Sequence, residues 1–347
     1  MDYHELPYVT QDLPGTGGRI REICEDFVVE EIPAYEPEGT GEHLFVNLTR
    51  RGMNTRDVSR QLAHLFELPY DSIGYAGLKD KQSVATQTFS VHTGSLDRKT
   101  MEDLSELISA ELSFKVNSMG LHPRKIRSGH LKGNQFTINV TSLEVSVEEG
   151  LTRANDVVEW QREMGLPNFY GQQRVHTENT SRGLEIIRGR LKVRNRWLRR
   201  FLISSYIDLL CNEYLTRRIE EGTFYKLMAG DIAKKHSTGG LFVVEDAEAE
   251  QRRFDAGEIS FTAPIYGPKM WMAEGPSGQL EQGILEDFEI TLEELKRVKV
   301  RGSRRLGRLL PDIEARTTSR GLQLSFSLPK GAYATVVLRE IMKTDRD

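Results

Sequence analysis

The chain has 347 residues, of which 28% are charged and 38% hydrophobic, and its formal net charge is −4 at pH 7. These values are typical of a globular protein rather than a disordered or membrane protein, and the length favours about two domains. No apolar run approaches the roughly 18 residues that a membrane-spanning helix needs, and residues 1–5 do not begin a signal peptide, so we expect a cytoplasmic protein. The two cysteines, Cys24 and Cys211, form no CxxC pair, which argues against a disulfide framework and a cysteine zinc site.

Charge is unevenly distributed along the chain. The first part is markedly acidic, whereas three later segments are basic, at 122–127, 188–200 and 296–308. Blocks of this kind can neutralise phosphates and therefore indicate a nucleic-acid partner. A single basic run on a helix is also consistent with a solvated face, so the three runs would indicate RNA binding most strongly if they surrounded one site.

The first half of the chain alternates predicted strands with short helices. Strands are predicted over 26–31 and 43–49 from the alternation of apolar and polar residues. Asn54 or Thr55 can cap a helix whose apolar positions recur at helical spacing until Pro69 stops it. The later predicted elements of this half are a helix near 101–110, strands over 114–118 and 134–140, and a helix over 147–164.

The second half begins with a change in composition. Residues 166–174 are rich in turn formers and aromatic residues, and a long amphipathic helix is predicted beyond them over 197–221. A charged stretch at 245–258 is predicted to be helical and exposed, and a strand over 322–328 precedes a final helix over 333–342. Because strands come first, helices dominate the middle and a strand returns at the end, we expect an α+β fold with a second domain inserted.

One loop combines flexible backbone with a charged tripeptide. Asp80 lies between Lys79 and Lys81, and neighbouring cations favour the ionised form of a carboxylate. Gly74 and Gly77 allow positive φ angles and leave room for a ligand to approach the backbone. An ionised carboxylate on a loop between two ordered elements can act as a nucleophile, although the same tripeptide is also common in solvated turns.

The sequence around this aspartate matches a known pattern. Residues 76–81 are AGLKDK, and Thr86 and Gln87 follow. This loop resembles the signature loop of the TruD family of tRNA pseudouridine synthases, in which the aspartate is the catalytic residue. Four further blocks resemble that family in the same order along the chain, at 25–30, 132–137, 167–174 and 328–335. Two details depart from the family: the tyrosine and phenylalanine of the third block are swapped, and Cys211 stands where phenylalanine is usual.

The resemblance implies a specific architecture. We expect an α+β pseudouridine-synthase-like catalytic domain, with a mixed, largely antiparallel sheet and helices, built from residues 1–164 and 303–347. A second α+β domain that is specific to the family is expected to be inserted at 165–302. Because two of the basic runs fall inside this insertion or at its end, we expect it to clamp the body of the RNA.

The resemblance also implies a reaction. The family isomerises uridine to pseudouridine in tRNA, usually at uridine 13 of the D-arm: the C1′–N1 bond breaks, the uracil turns, and C5 bonds to C1′. This reaction includes no redox step, phosphoryl transfer or hydrolysis, so neither a cofactor nor a metal is expected. The carboxylate of Asp80 could attack C1′ or remove a ribose proton, and the sequence leaves both routes open.

Four site residues are expected to hold the base. Phe27, Phe136 and Tyr333 come from three of the matching blocks and would provide apolar and stacking surfaces for an extruded uracil. Asn134 can donate and accept hydrogen bonds, which suits the edge of uracil. Their ordinary roles would be those of core aromatics and of a turn asparagine beside a glycine.

The remaining site residues surround the carboxylate. Arg21 stands where the family has a basic residue, and it could pair with Asp80 and aim it. Lys79 could contact a phosphate or support the loop, and Gln87 is expected to support the loop rather than touch substrate.

Other functions remain open at this stage. The main alternative is a non-catalytic RNA-binding module whose loop carboxylate is structural. A methyltransferase would need a glycine-rich cofactor loop after a strand, and the only candidate, near Gly15, has no strand before it. A metabolic enzyme with an acidic nucleophile would leave the basic runs unexplained.

Overall fold

The computed structural model describes residues 6–94, 96–172 and 174–344. These residues form two compact units. The sheet unit contains Gly15–Asn155 and Asp312–Gly331, and the helix unit contains residues 6–14, Asp156–Pro311 and residues 332–344. The predicted catalytic and inserted domains, with their boundaries after residues 164 and 302, stay a prediction.

Helices and strands both occur along the chain, as expected for an α+β protein. In chain order, the elements are β1 (Phe27–Pro33), β2 (His43–Arg51), α1 (Thr55–Leu65), β3 (Gly74–Tyr75), β4 (Val84–His92), α2 (Arg98–Leu112), β5 (Lys115–His122), β6 (Leu131–Thr141), α3 (Val147–Met164), β7 (Leu166–Pro167), α4 (Thr177–Ile187), α5 (Arg196–Glu220), β8 (Ile232–Lys235), β9 (Leu241–Val243), α6 (Ala247–Asp255), β10 (Ile259–Ile265), α7 (Gly275–Asp287), α8 (Leu292–Arg297), β11 (Ser303–Leu306), β12 (Arg308–Leu309), β13 (Ile313–Thr318), β14 (Gly321–Pro329) and α9 (Ala334–Met342).

The sheet unit is built on one large mixed sheet. Its strand order is β13-β14-β6-β1-β4-β2-β5, and β3 pairs with β4. Only the pairing of β1 with β4 is parallel, and the other pairings within this sheet are antiparallel. The predicted mixed and largely antiparallel sheet is therefore confirmed. Since β14 from the end of the chain pairs with β6 from the first half, both parts of the sequence build this sheet.

The first helix shows how local sequence and packing agree in this unit. Asn54 caps α1, because its side chain accepts a hydrogen bond from the backbone N–H of Asp57. Val58 and Leu62 lie one turn apart and pack into a buried cluster that also contains Leu48 of β2. The predicted cap and apolar face of this helix are confirmed.

The helix unit is organised around α5, which is 25 residues long. A four-stranded sheet of order β11-β10-β8-β9 and a two-stranded pairing of β7 with β12 complete the strands of this unit among the described residues. Most residues of α5 after its first turn and a half are buried, and they share one core with apolar residues of β10, α4 and α7. The predicted amphipathic helix is therefore confirmed, although its middle is buried nearly all round.

A buried ion pair lies in the core of the helix unit. Arg218 of α5 and Asp231 are both fully buried, and Arg218 Nη1 lies 2.8 Å from Asp231 Oδ1. Ser277 donates a second hydrogen bond to the same carboxylate oxygen at 2.7 Å, and the Lys226 carbonyl accepts one from Arg218 Nη2 at 2.7 Å. The pair therefore has the additional hydrogen bonds that buried charges require.

Removing one partner of this pair should be costly. We expect Arg218→Ala to lower the free energy of unfolding by about 3–5 kcal/mol, because Asp231 would remain buried without its cation. Thermal melting of the purified variant measures the effect. A matched control is Arg297→Ala, whose side chain is 66% exposed and lies 3.9 Å from Glu294, and we expect about 1 kcal/mol or less there. Equal melting temperatures for Arg218→Ala and the wild type would contradict the role assigned to the pair.

None of the helices in the described part of the chain is long and apolar enough to cross a membrane.

Candidate active site

The aspartate loop runs between β3 and β4 of the sheet unit. At Gly74 an added Cβ would lie 2.3 Å from the Ile126 carbonyl oxygen, so only glycine fits there. Neither Gly74 nor Gly77 has a positive φ angle. The expectation that Gly74 leaves room for a ligand is therefore wrong: its missing side chain allows close packing against the protein's own backbone.

Asp80 is half-exposed and paired with an arginine. Its side chain is 44% exposed, and its Oδ2 lies 2.9 Å from Nη2 of Arg21, which is only 10% exposed. Gln82 donates a hydrogen bond to the Arg21 carbonyl, so the loop also holds the backbone of the arginine. Ser83 Oγ donates to the Asp80 carbonyl at 2.8 Å. The predicted pair between Arg21 and Asp80 is present. Asp80 is therefore held through both its carboxylate and its backbone carbonyl.

The backbone at Arg21 is unusual. Its φ angle is +60°, a left-handed conformation that is uncommon for a residue with a side chain. The guanidinium carbon lies 4.1 Å from the centroid of the Phe27 ring, in the geometry of a cation–π contact. Backbone strain at an observed outlier often accompanies a functional site. Here the strained conformation directs the guanidinium between an aromatic ring and the loop carboxylate.

Lys79 points inward, away from solvent. Its Nζ lies 2.7 Å from Oε2 of Glu31 on β1, and both side chains are almost completely buried. Burial lowers the pKa of Lys79, and the carboxylate of Glu31 opposes that shift. Gln87 of β4 donates to Glu31 Oε2 at 3.2 Å and to the Gly77 carbonyl at 2.7 Å. The prediction that Gln87 supports the loop is confirmed, and Lys79 occupies a supporting position as well.

A second buried cation lies beside this pair. Arg50 is among the largest fully buried side chains, and it donates to the Thr55 hydroxyl at 3.3 Å and to the Ala85 carbonyl at 3.2 Å. The Thr55 hydroxyl also accepts a hydrogen bond from the backbone N–H of Lys79 at 2.8 Å. Burial lowers the pKa of Arg50 to about 10, and the carboxylates of Glu31 and Asp80 act in the opposite direction. The Asp80 loop is therefore held by hydrogen bonds and an ion pair to residues of α1, β1 and β4.

Strand register places several predicted residues on one face of the sheet. In the pairing of β1 with β6, Val29 lies opposite Phe136 and Glu31 lies opposite Asn134. Because alternate residues of a strand share a face, Phe27 belongs to the same face as these four residues. The site is thus assembled on one face of β1 and β6.

The predicted aromatic residues of the sheet unit form a row. The ring centroids of Phe27 and Phe136 are 6.0 Å apart, and those of Phe136 and Phe326 are 5.5 Å apart. All three side chains are buried, and Phe136 retains the largest exposed fraction, 7%. Phe27 and Phe136 are therefore core residues of the sheet unit, and only the small exposed part of Phe136 is open to a ligand.

Asn134 has an unsatisfied acceptor. Its side-chain Oδ1 is buried and accepts no hydrogen bond from any residue that the structure describes. A buried amide oxygen without a partner costs free energy, and such groups usually have a partner in the functional state. The site therefore contains an acceptor that a ligand N–H group could satisfy.

Tyr333 belongs to the helix unit, where it precedes α9. Its hydroxyl lies 3.4 Å from Arg174 Nε, and its ring centroid is 5.9 Å from that of Tyr170. Arg174 Nε also lies 3.5 Å from Oδ2 of Asp208, whose pKa burial raises to about 6 while Arg174 and Arg305 oppose the shift. The stacking role of Tyr333 stays a prediction.

Part of the third basic run is internal. Arg304 is buried and lies 2.5 Å from Glu281, and Arg305 donates to Asn168 Oδ1 at 2.6 Å. Arg308 is also buried. The hypothesis that this run neutralises phosphates is wrong for these three arginines, because their side chains bind the helix unit itself.

The sequence analysis did not identify the buried residues that support the Asp80 loop. Glu31, Arg50 and Thr55 were not predicted to belong to the site. A signal for Glu31 is present in its strand, since it follows Phe27 and Val29 at alternate positions and so has to lie on their buried face. Arg50 carries a comparable signal, because it follows Leu44, Val46 and Leu48 at alternate positions of β2. No such signal marks Thr55.

Within residues 6–94, 96–172 and 174–344, no three His, Cys, Asp or Glu side chains are placed to hold a metal ion. The expectation that neither a metal nor a cofactor is needed stays a prediction.

Comparisons with known proteins identify the family of this chain. The sequence model of the family described as tRNA pseudouridine synthase D (TruD) matches residues 4–193 and 187–341. A tRNA pseudouridine synthase D of Thermus thermophilus is 40% identical over 342 residues, which cover 98% of this chain and 92% of that protein. One of Anaeromyxobacter dehalogenans is 38% identical over 353 residues, which cover 99% and 98%.

The fold has a solved relative. A crystal structure from Methanosarcina mazei, provisionally assigned as tRNA pseudouridine synthase D (TruD), superposes with a TM-score of 0.73 at 25% identity and covers 98% of this chain and 97% of that one. The likeness therefore extends over the whole chain in both sequence and structure. The chain belongs to the TruD family of tRNA pseudouridine synthases, which are isomerases acting on tRNA.

Proposed function

We propose that this protein converts uridine 13 in the D-arm of tRNA to pseudouridine and that Asp80 is its catalytic nucleophile. The observation that carries this proposal is the state of Asp80: a half-exposed carboxylate fixed by Arg21 on a loop that a buried polar network holds in place. A carboxylate in a structural turn would not require such support. Since tRNA is the substrate, we also expect the protein to act in the cytoplasm.

In the proposed reaction, the carboxylate attacks C1′ of the ribose and the C1′–N1 bond breaks. The uracil leaves with the electron pair on N1, turns within the site, and attacks C1′ through C5, which displaces the carboxylate. C5 loses its proton and N1 gains one, so the product is an isomer of the substrate and the enzyme is restored. Arg21 keeps one carboxylate oxygen engaged, which aims the other toward the substrate.

Asn134 is the proposed contact for the edge of the base. Its unsatisfied Oδ1 suits an imide N–H of uracil, and the uridine would fill the missing hydrogen bond. Phe136 has the largest exposed fraction of the aromatic row and lies two residues along the same strand face, where it can contact the flat surface of the base. Phe27 supports Phe136 and Arg21 from behind, and we propose Tyr333 as a further stacking surface.

Lys79 is proposed as a positioning residue rather than a phosphate contact. A phosphate ligand would have to replace Glu31 in a pocket where both partners are almost completely buried. Lys79, which precedes Asp80, instead connects the loop to β1 at the centre of the sheet. The neighbouring Lys81 is exposed and remains available to solvent and RNA.

The domain arrangement follows from the same proposal. We propose that residues 1–164 and 303–347 form the catalytic domain and that the insertion at 165–302 binds the body of the tRNA. In the sheet unit, Arg124 and Arg127 of the first basic run are exposed, and we expect them to contribute to RNA binding.

Replacing the nucleophile tests the central assignment. Asp80→Asn keeps the shape of the side chain, and we expect it to lower the single-turnover rate of pseudouridine formation on the order of 10⁴-fold or more. The dissociation constant for unmodified tRNA transcript should stay within a few-fold, because phosphate contacts supply most of the affinity.

The matched control is Asp71→Asn, which alters an exposed aspartate of the same unit. Mapping of pseudouridine at nucleotide resolution identifies the modified uridine in the same experiment. Wild-type protein that binds tRNA without forming pseudouridine would instead support a non-catalytic RNA-binding module.

Lys79→Met tests the positioning role. The change leaves Glu31 buried without its cation, so we expect a loss of about 3–5 kcal/mol in stability together with a lower single-turnover rate at saturating tRNA. The slope of log affinity against log salt should not change, whereas loss of a phosphate contact would reduce it by about one unit.

A second substitution separates positioning from simple stability. In Lys79→Met with Glu31→Leu, the buried pair is replaced by apolar groups, which we expect to restore most of the stability but not the rate. Recovery of both would mean that the pair only stabilises the fold. The control is Lys81→Met, which removes the exposed lysine on the other side of Asp80.

Phe136→Ala should impair turnover more than its effect on stability explains. Loss of a stacked base contact is worth about 1–3 kcal/mol, and the truncation also removes buried aromatic surface. The matched control is Phe326→Ala, its neighbour in the row, which is buried and has less surface open to a ligand. Both variants should melt at lower temperatures, but only Phe136→Ala should lose rate at a temperature where it is fully folded. Equal loss of rate in the two folded variants would make Phe136 a core residue only.

A further inference from the structure

The first turn of α5 carries an exposed tryptophan. Asn195 caps this helix by accepting a hydrogen bond from the Leu198 N–H at 3.0 Å, and Trp197 follows with 51% of its surface exposed. Its ring is stacked on that of Phe201, one turn further along, with centroids 5.4 Å apart and an interplanar angle of 13°. Phe201 in turn packs against the core of the helix unit. The indole is thus held by the fold while half of its surface faces solvent.

The segment around this tryptophan contains cations that have no ion-pair partner among the described residues. The earlier part of the basic run is paired, since Arg188 lies 3.4 Å from Glu289 and Arg190 lies 2.8 Å from Glu185. No described side chain forms an ion pair with the next five cations, which are Lys192, Arg194, Arg196, Arg199 and Arg200. In particular, none of these five cations forms an ion pair with the acidic stretch after Glu245 among the described residues.

Folding alone does not account for this arrangement. A tryptophan contributes most to stability when it is buried, and a run of like charges on one segment repels itself. Both features are unfavourable in the isolated protein, yet they occur within nine residues of each other along the chain, from 192 to 200. Binding of a ligand that is both anionic and aromatic would make the exposed tryptophan and the run of like charges favourable.

We propose that Trp197 is a stacking surface for an unpaired nucleotide of the tRNA, with the cations of residues 192–200 binding the phosphates beside it; this rests on the proposed action on tRNA. An unstacked base offers a flat aromatic surface to an indole, whereas a base inside a duplex does not. Five uncompensated cations match the phosphate backbone, whereas an apolar peptide would leave them unpaired. The helix unit would in this way select RNA that presents a single-stranded nucleotide next to paired stem.

The decisive measurement is a binding series over salt concentration with full-length variants. The probes are unmodified tRNA transcript and a fully paired RNA duplex with the same number of phosphates. We expect Trp197→Ala to weaken binding of tRNA about 5- to 100-fold at every salt concentration, with an unchanged salt slope and no comparable effect on the duplex. Trp197→Tyr should retain most of the affinity, because tyrosine also stacks.

The charge component has a different signature. Arg194→Gln, Arg196→Gln and Arg200→Gln together should weaken binding of both probes and reduce the salt slope by up to about three units, one for each lost phosphate contact. The control for tryptophan loss is Trp271→Ala, a residue of the same unit that is 46% exposed, and it should leave binding of both probes unchanged.

Two results would overturn the proposal. Trp197→Ala that binds tRNA as tightly as wild type would show that the indole does not contact RNA and leave a protein partner as its occupant. Equal losses on tRNA and on duplex would show that it contacts RNA without stacking on an unpaired base. Wild-type formation of pseudouridine in the same preparation keeps this test separate from the proposed function: if it occurs and Trp197→Ala behaves as wild type, only the stacking surface is wrong.

Discussion

The buried pair of Lys79 with Glu31 is the interaction on which the geometry of the site depends. It connects the loop, at the position before Asp80, to β1 on the face of the sheet that carries Phe27. The two charged groups are 2.7 Å apart and almost completely buried. Removing two charges from water is costly, and that cost is offset only when the remaining donors and acceptors are also satisfied. Gln87 and the backbone N–H of Thr88 donate hydrogen bonds to the Glu31 carboxylate, and Thr55 accepts one from the backbone N–H of Lys79. These contacts hold the loop against the sheet and α1.

The same strand that supports the loop also builds the wall of the site. Along β1, alternate residues direct Phe27, Val29 and Glu31 to one face, so a single pleat positions an aromatic ring and a buried carboxylate. Arg21 connects the two ends of this arrangement, because its guanidinium contacts the Phe27 ring and the Asp80 carboxylate. A shift of β1 by one residue would move all of these groups to the other face, and strand register is therefore a constraint on the chemistry as well as on the fold.

The sequence predicted those features that depend on nearby residues. The cap at Asn54, the long helix ending near Glu220 and the alternation in β14 are local patterns, and they were correctly predicted. The inward direction of Lys79, Arg304 and other charged residues was not predictable, because it depends on partners 23 to 48 positions away in the chain. The loop, its aspartate and the arginine that pairs with it were found through the resemblance to a family, whereas the partners of the buried supporting residues required coordinates.

The distribution of charge explains how a protein with net charge −4 can bind a polyanion. Much of the positive charge of the helix unit is neutralised by ion pairs within the protein, as in the pairs of Arg218 with Asp231 and of Arg304 with Glu281. In salt the field of an exposed charge is largely screened beyond about 8 Å, so a phosphate responds to the charges beside it rather than to the total. Residues 192–200 concentrate cations without described acidic partners around an exposed indole, and an RNA strand at this segment would experience a positive surface although the protein as a whole is acidic. Folding thus separates the arginines that stabilise the protein through internal ion pairs from those that remain exposed, and the total charge of the chain does not reveal that division.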